Sequence, residues 1–246
     1  MNDLIMLHGV GLDYQIWHPL RAALPDVTTH AYDLRGHAQG PDWQGPASLD
    51  QFVSDLWDYA DGLGLDRFAL CGFSLGAMIA QWAALSNPAR ISHLVLLNGV
   101  YARTDDQMAA VQARFQEAII SGPQIMIDAA LERWFPSEFA AKHPEYPMQI
   151  RLRLETNNTE QFMRSYKLFA HEGAQIEGRL SEIKVPTLVV TGGLDSGSTP
   201  LMTKKMASEM PYAKAIIFND AAHMLPMQKP DELARLIKGV LQKDTT

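Results

Sequence analysis

Two features that would narrow the class of this protein are nearly absent from its sequence. There is one cysteine in 246 residues, which excludes an intrachain disulfide and is typical of a reducing compartment. No apolar run is long enough to span a bilayer, and no basic segment precedes the first apolar run, as it would in a signal peptide. We therefore expect a cytoplasmic protein without a membrane partner.

Positive charge is also scarce. Lysine and arginine total 21 against 28 aspartate and glutamate residues, for a net charge of −7, so a nucleic-acid partner is not predicted. We find no cluster of metal ligands, no nucleotide-binding loop and no cofactor attachment motif, and we expect neither metal nor cofactor. Cys71 ends an apolar run, which predicts a buried, unreactive thiol.

The most informative segment is Gly72-Phe73-Ser74-Leu75-Gly76. A short apolar run at 67–71 predicts a strand before it, and an Ala-rich run at 75–85 predicts a helix after it. Glycine on both sides indicates a turn too tight for a Cβ there, with a strained, exposed serine at its centre. The Leu75 N–H would then lie at a helix N-terminus, where it can stabilise an oxyanion. The alternative is a glycine-rich turn that contains a serine by chance.

Hydrophobic patterning divides the chain into a sheet region and a helical region. Strands predicted at 3–7, 27–32, 67–71 and 93–98 alternate with helices, which indicates a parallel sheet covered on both faces, and the sheet resumes at 187–191 and 213–218. Residues 101–183 contain no predicted strand, only helices at roughly 104–120, 123–134, 146–156 and 159–171. We therefore predict an α/β core (1–100 and 184–246) with an inserted helical cap (101–183).

Three chemically active residues follow predicted strands. Ser74, Asp195 and His223 each lie just past a strand end, where open α/β sheets present their ligands. A serine needs a base to act as nucleophile, a neutral histidine supplies it, and a carboxylate orients that histidine. Taken singly, Asp195 could be a turn or cap residue and His223 an ordinary loop histidine. Should another carboxylate serve, Asp105 is the next candidate.

These motifs identify a resemblance to the α/β-hydrolase superfamily with a helical cap, over nearly the whole chain. The matching pieces are His8-Gly9, Asp33-Leu34-Arg35-Gly36-His37, Gly72-Phe73-Ser74-Leu75-Gly76, Gly192-Gly193-Leu194-Asp195 and Ala222-His223. The chain most resembles 3-oxoadipate enol-lactone hydrolases, to which Arg133-Trp134-Phe135 is similar, and small carboxylesterases. The resemblance implies a small-molecule substrate, Ser74 as nucleophile, His223 as base, Asp195 as orienting acid, and Val10 and Leu75 as oxyanion amides. It also implies substrate contacts at Arg133, Trp134 and Phe73.

The chain departs from the family pattern in two places. Ala38 and Gly40 stand where glycine and serine usually follow the Arg-Gly-His motif. The N-terminal hairpin typical of the family is also missing, so the strand at 27–32 is predicted at a sheet edge, which proteins normally protect. We expect this edge to be covered, for example by the second subunit of a homodimer.

The pattern favours hydrolysis of an ester or lactone through an acyl-Ser74 intermediate. A carbon–carbon bond hydrolase of vinylogous diketones would use the same three residues, and a non-catalytic ligand receptor is a third interpretation. The cap arginines are Arg114, Arg133, Arg151, Arg153 and Arg164, and each could bind a substrate carboxylate. Solvated surface charge is the more frequent role for such residues. Because acids outnumber bases in the cap, a cationic pocket is not expected.

Overall fold

Six parallel strands form one sheet in the order β2-β1-β3-β4-β5-β6. The structure is a computed structural model and describes residues 3–242. The strands are β1 (Leu4–Leu7), β2 (Thr29–Ala31), β3 (Phe68–Phe73), β4 (Ile91–Leu97), β5 (Thr187–Gly192) and β6 (Ala213–Phe218). This sheet confirms the predicted α/β architecture. Its strands are parallel because a helix follows most of them, and a helical crossover returns the chain in the same direction.

Helices cover both faces of the sheet. Successive residues of β1 point to opposite sides, so Ile5 joins one apolar cluster while Leu4 and Met6 join another. One face is covered by α2 (Leu49–Gly62), α3 (Leu75–Ser86) and α9 (Pro200–Glu209). The other is covered by α1 (His18–Ala22), α10 (Leu225–Gln228) and α11 (Pro230–Leu241). Cys71 is fully buried in the second cluster, as predicted, and burial raises the pKa of its thiol.

Five helices lie between β4 and β5, in the segment at 101–183 that we call the cap segment. They are α4 (Asp105–Ser121), α5 (Ile127–Trp134), α6 (Ser137–Lys142), α7 (Glu145–Glu155) and α8 (Thr159–His171). The helix expected over 123–134 is divided, since Pro123–Met126 forms a 3₁₀ turn ahead of α5. The short α6 was not predicted; it lies between Pro136 and Pro144, residues that end or interrupt helices.

The proposed division of the chain at residues 100 and 184 stays a prediction. Residues 1–2 and 243–246 of the two predicted core segments lie outside the described residues. Within residues 3–242, no helix combines the length and the hydropathy that a membrane span requires.

Strand β2 lies at one edge of the sheet, as predicted, although it is shorter than the expected 27–32. Its outer side is partly covered from within the chain. The Arg21 Nε donates to Thr29 Oγ1 at 3.0 Å, and Nη2 donates to the Thr29 carbonyl at 3.3 Å. A cationic side chain across an edge strand discourages pairing with another strand. The predicted homodimer therefore is not needed to protect this edge, and it stays a prediction.

Candidate active site

Ser74 occupies the turn between β3 and α3 in a strained conformation. Its φ is 54° and its ψ −111°, outside the regions that a non-glycine residue ordinarily adopts. A Cβ on Gly72 would collide with the carbonyl of Gly76, and a Cβ on Gly76 would collide with the carbonyl of Leu7. The predicted steric reason for both glycines is therefore confirmed.

Two backbone N–H groups beside Ser74 are free to donate a hydrogen bond to a ligand. Val10 lines the same cavity as Ser74, and Leu75 is the first residue of α3. Within residues 3–242, neither N–H donates a hydrogen bond to another protein group. The loop that carries Val10 passes so close to the serine that a Cβ on Gly9 would lie only 3.2 Å from the Ser74 Cβ. This arrangement has the donors that an oxyanion hole requires.

His8 fixes the loop that carries Val10. Its Nδ1 donates to the Gly9 carbonyl at 2.8 Å and its Nε2 accepts from the Leu34 N–H at 2.9 Å, so the neutral ring satisfies both bonds. Complete burial lowers the pKa of His8 to about 4. The ring of His37 packs edge-on against it at 5.1 Å, and burial, with the nearby His8, lowers the pKa of His37 to about 3. These histidines are thus structural groups behind the site.

The departure from the family pattern at residues 38 and 40 lies in the loop that follows His37. Ala38 has a φ of 42°, a left-handed conformation that favours glycine. At Gly40, a Cβ would collide with the Leu34 carbonyl, so a serine cannot be placed in this loop without moving it. Neither residue lines the cavity that contains Ser74.

Asp195 and His223 form the expected pair at the ends of β5 and β6. The His223 Nδ1 lies 2.7 Å from Asp195 Oδ2, and both side chains are buried. Asp195 Oδ1 accepts from the N–H groups of Gly197 and Ser198 at 2.9 and 3.0 Å. Burial alone would raise the pKa of Asp195, but the charge and hydrogen bond of His223, with the other donors, outweigh it and lower that pKa. Asp195 is therefore held ionised where it orients the imidazole.

Asn98, which we did not predict, supports the same carboxylate. It follows β4, is fully buried, and its Nδ2 donates to Asp195 Oδ2 at 2.8 Å. Its position at a strand end beside β5 was the signal that could have identified it. Asp105, the alternative acid, is exposed in the first turn of α4 and has no contact of this kind with His223.

The three residues expected to contact substrate have different surroundings. Arg133 and Trp134 line the cavity that contains Ser74 and His223, and the Trp134 ring lies 5.5 Å from that of His223. Phe73 is completely buried, with its ring 4.9 Å from His223 on one side and near Trp17 on the other. It therefore has no exposed surface for a substrate in this structure, although it supports the imidazole.

A side chain from α10 joins the cap segment to the histidine loop. The Gln228 Nε2 donates to the Trp134 carbonyl at 2.7 Å, and its Oε1 accepts from the Ala222 N–H at 2.8 Å. Because Trp134 ends α5 and Ala222 precedes His223, one buried amide fixes the position of the cap relative to the imidazole. Nothing in the sequence around Gln228 indicated this role.

The cavity at Ser74 has a volume of about 160 Å³, and we call it the arginine chamber. Arg103, Arg114 and Arg133 line it together with Ser74, Asp195 and His223. Within residues 3–242, none of these three arginines forms an ion pair, whereas Arg151, Arg164 and Arg179 elsewhere in the cap segment each pair with a carboxylate. Burial, then the charge of Arg114, lowers the pKa of Arg103 to about 10 and also lowers that of Arg133.

The expectation that the pocket is not cationic was therefore wrong. Most of the acids counted in the cap segment face solvent, as Asp105, Glu117 and Glu132 do, and so do not neutralise the cavity. A count of charges along the chain does not say which face of a helix carries them. Three guanidinium groups against the one carboxylate of Asp195 make the lining of this cavity positive, which suits an anionic ligand.

A second, smaller cavity of about 70 Å³ adjoins the first, and we call it the apolar chamber. The two chambers share the lining residues Val10, Arg114, Arg133, Trp134 and Tyr166. The remaining wall of the apolar chamber consists of Pro123, Met126, Ile127, Ala130, Leu154, Asn157 and Phe162. Ser74 and His223 line only the arginine chamber.

Comparisons with known proteins agree with this architecture. The profile of the alpha/beta hydrolase family matches residues 4–236. The (E)-2-((N-methylformamido)methylene)succinate hydrolase of Acinetobacter baylyi is 29% identical over 98% of this chain and 90% of its own length. The 3-oxoadipate enol-lactonase 2 of the same organism is 24% identical over 98% and 88%. The crystal structure of an enol-lactonase from Burkholderia xenovorans has a TM-score of 0.88 at 24% identity, over 98% of this chain and 92% of that one.

Proposed function

Because this chain belongs to the alpha/beta hydrolase family, we propose that it is a serine hydrolase that cleaves a small carboxylic ester or lactone at Ser74. One observation carries the proposal: Ser74, Asp195 and His223 line one cavity, with the imidazole held at 2.7 Å by the carboxylate. The strained serine and the two free N–H groups of Val10 and Leu75 support it. Each group matches one need of acyl transfer.

In the first half of the reaction, Ser74 is acylated. As the Ser74 Oγ attacks the carbonyl carbon, His223 Nε2 takes the hydroxyl proton and the carbonyl π electrons move to oxygen. That oxyanion accepts from the Val10 and Leu75 N–H groups. Asp195 stabilises the imidazolium through the proton on Nδ1. When the carbonyl reforms, the imidazolium gives its proton to the departing alcohol or enol oxygen.

In the second half, water releases the acid. His223 takes a proton from a water molecule, whose oxygen attacks the acyl carbon and passes through the same oxyanion arrangement. The bond to Ser74 Oγ then breaks, and the imidazolium returns the proton to that oxygen. The enzyme is restored, and one ester or lactone bond and one water have been consumed.

The substrate in this proposal carries a carboxylate. Arg103, Arg114 and Arg133 line the same cavity as the reacting serine and form no ion pair within residues 3–242, and a guanidinium group can bind a carboxylate with two parallel hydrogen bonds. The names of the two curated relatives, a methylenesuccinate hydrolase and a 3-oxoadipate enol-lactonase, both contain a carboxylic acid. These names support the assignment of an acidic substrate.

A second candidate function is hydrolysis of a carbon–carbon bond in a vinylogous diketone. It is kept as a candidate because the relative with 29% identity is named for neither an ester nor a lactone, so the reactions of such relatives extend beyond these two bonds. The same Ser74, His223 and Asp195 would serve that reaction. A receptor that binds its ligand without turnover is the remaining alternative.

The proposal is tested by labelling with a fluorophosphonate probe and by a substrate panel. We expect the probe to modify Ser74, Ser74→Ala to lose the label, and Ser86→Ala, at the exposed end of the same helix, to keep it. Turnover of aryl esters, enol-lactones and vinylogous diketones is then compared. Turnover of esters or lactones alone supports the proposal, turnover of diketones alone favours the second candidate, and inertness toward the probe and every substrate indicates a receptor.

A further inference from the structure

The apolar chamber lies beside the reacting serine, and the chemistry described so far gives it no role. We propose that it is a substrate subsite for a short apolar substituent, so that the substrate combines a carboxylate in the arginine chamber with an alkyl or aryl group in the apolar chamber. This inference rests on the proposed function, because it assigns a second part of the same substrate.

The chemistry of the lining supports an apolar occupant. Apart from the residues that it shares with the arginine chamber, its wall has one polar side chain, Asn157. That amide is already engaged, because its Nδ2 donates to the Gly11 carbonyl at 2.8 Å and its Oδ1 accepts from Arg153 at 2.9 Å. A polar ligand group there would lose its hydrogen bonds to water without replacement, whereas an alkyl group would gain from leaving water.

The position of the chamber ties it to the reacting bond. Val10 lines both chambers, and its N–H is one of the two free donors beside Ser74. A substrate whose carbonyl oxygen meets that N–H therefore has its neighbouring atoms at the entrance of the apolar chamber. Arg114 and Arg133 also line both chambers, so the carboxylate and the apolar group are recognised side by side.

The Gly11 backbone lies against two residues of the chamber wall. Gly11 has a φ of 77°, and a Cβ there would lie 3.0 Å from the side chains of Leu154 and Phe162. Those two residues come from α7 and α8, so the cap segment rests directly on the loop that carries Val10. This contact holds two residues of the chamber wall against the loop, and the chamber volume of about 70 Å³ limits the size of the substituent.

The test fills the chamber from α5. Ala130 lines it and is buried, whereas Ala129 on the same helix is exposed, so Ala130→Phe and Ala129→Phe form a matched pair. Two substrate series are assayed: p-nitrophenyl acetate, butyrate and hexanoate, and the methyl, butyl and hexyl monoesters of succinic acid. Each methylene buried by the wild type should raise kcat/KM by about four-fold. We expect this gain in at least one series, its loss in Ala130→Phe and its retention in Ala129→Phe.

Two further substitutions, one that fills the chamber less and one that enlarges it, keep the test decisive if Ala130→Phe does not fold. Ala130→Val should shorten the preferred chain, and Met126→Ala, which enlarges the same chamber, should lengthen it. The proposal is overturned if the chain-length dependence of both series is the same in the wild type, Ala130→Val and Met126→Ala.

A binding measurement separates failure of this inference from failure of the proposed function. Calorimetry with Ser74→Ala compares monomethyl and monobutyl succinate, and we expect tighter binding of the butyl ester that Ala130→Phe removes and Ala129→Phe keeps. If Ser74→Ala still hydrolyses esters, the proposed function fails while this preference can stand. If Ser74 is essential but neither ester binds better than the other, the subsite is wrong and the hydrolase is not.

Discussion

The floor and the roof of this pocket are held by different kinds of interaction. On the floor, Ser74, Asp195 and His223 stand at the ends of β3, β5 and β6, and backbone geometry places them. In the roof, Arg114, Arg133 and apolar-chamber residues such as Ala130 and Phe162 lie on helices of the cap segment, and side-chain packing places them. A change of one side chain in the roof leaves the strands untouched. The chemistry can thus stay constant while the substrate changes.

The number of hydrogen-bond and ion-pair partners also differs between the two regions. The Asp195 carboxylate accepts from four donors, including Asn98 and His223, and the Val10 loop is held by the buried His8. By contrast, Arg114 and Arg133 have no ion-pair partner within residues 3–242. Preorganised groups stabilise a transition state without having to rearrange. Unpaired groups keep their full charge for the ligand.

The largest effect is expected on the floor. Asp195→Asn should lower kcat by about 10⁴-fold, because an amide offers one acceptor oxygen to four donors and no longer fixes the tautomer of His223. Stopped assays on an aryl ester measure the rate, and circular dichroism checks the fold. Asp105→Asn, which changes an exposed carboxylate in the same way, is the control and should retain activity within about two-fold. An Asp195→Asn variant of nearly normal rate would place the acid elsewhere.

A smaller and more selective effect is expected in the roof. Arg133→Met or Arg114→Met should lower kcat/KM for carboxylate-bearing esters by about 10- to 100-fold, the value of a hydrogen bond to a charged group. A neutral aryl acetate should be nearly unaffected, since it has no carboxylate to lose. Arg151→Met removes a cap arginine that pairs with Asp128 on the surface and serves as the control. Equal losses with acidic and neutral substrates would show that these arginines are structural.

The smallest effect concerns stability rather than rate, and it again belongs to the floor. In the folded protein the pKa of His8 is about 4 and that of His37 about 3, so both rings stay neutral at higher pH. An unfolded histidine gains its proton near pH 6.5. The unfolded state therefore binds more protons below that pH, and the free energy of unfolding should fall from pH 6.5 toward pH 4. Each histidine contributes at most about 1.4 kcal/mol per pH unit. Urea titrations at pH 7, 6 and 5 measure the slope.

A substitution tests whether His8 and His37 cause this pH dependence of the free energy of unfolding. His37→Asn keeps a donor for the Arg35 carbonyl but cannot titrate, so it should flatten the pH dependence, whereas His143→Asn, at an exposed position, should not. A free energy of unfolding that is constant between pH 7 and 5 would contradict the neutral state of these rings.

The elements that could be predicted from sequence are those with a local physical signature. Gly72 is required by a collision within the turn itself and Gly76 by one with the Leu7 carbonyl, and both are visible in the sequence as a glycine pattern around Ser74. The order Ser74, Asp195, His223 could be recovered because each residue follows an apolar strand within a few positions. Asn98 follows a strand in the same way and was missed, because an amide has no catalytic role by itself. Its role depends on the neighbouring Asp195, which lies on another strand.

The pocket wall could not be predicted, and the charge argument failed there. Acids outnumber bases in the cap segment, yet Arg103, Arg114 and Arg133 line the cavity, whereas Asp105 and Glu132 do not. Residues three and four positions apart share one face of a helix, so the composition of a helix does not reveal which face lines a cleft. Gln228 is similar: its two hydrogen bonds join segments nearly a hundred residues apart.

By itself, the sequence determined the parallel sheet, the turn at Ser74 and the three strand ends from which a serine, a histidine and a carboxylate converge. These features depend on residues close together in the chain, where alternation of apolar runs and the steric demands of glycine act directly. Only the tertiary structure decided that the pocket is cationic, that it has an adjoining apolar chamber, and that Asn98 and Gln228 support it. Those properties arise where helices and strands distant in sequence pack together, and no local pattern encodes which faces meet.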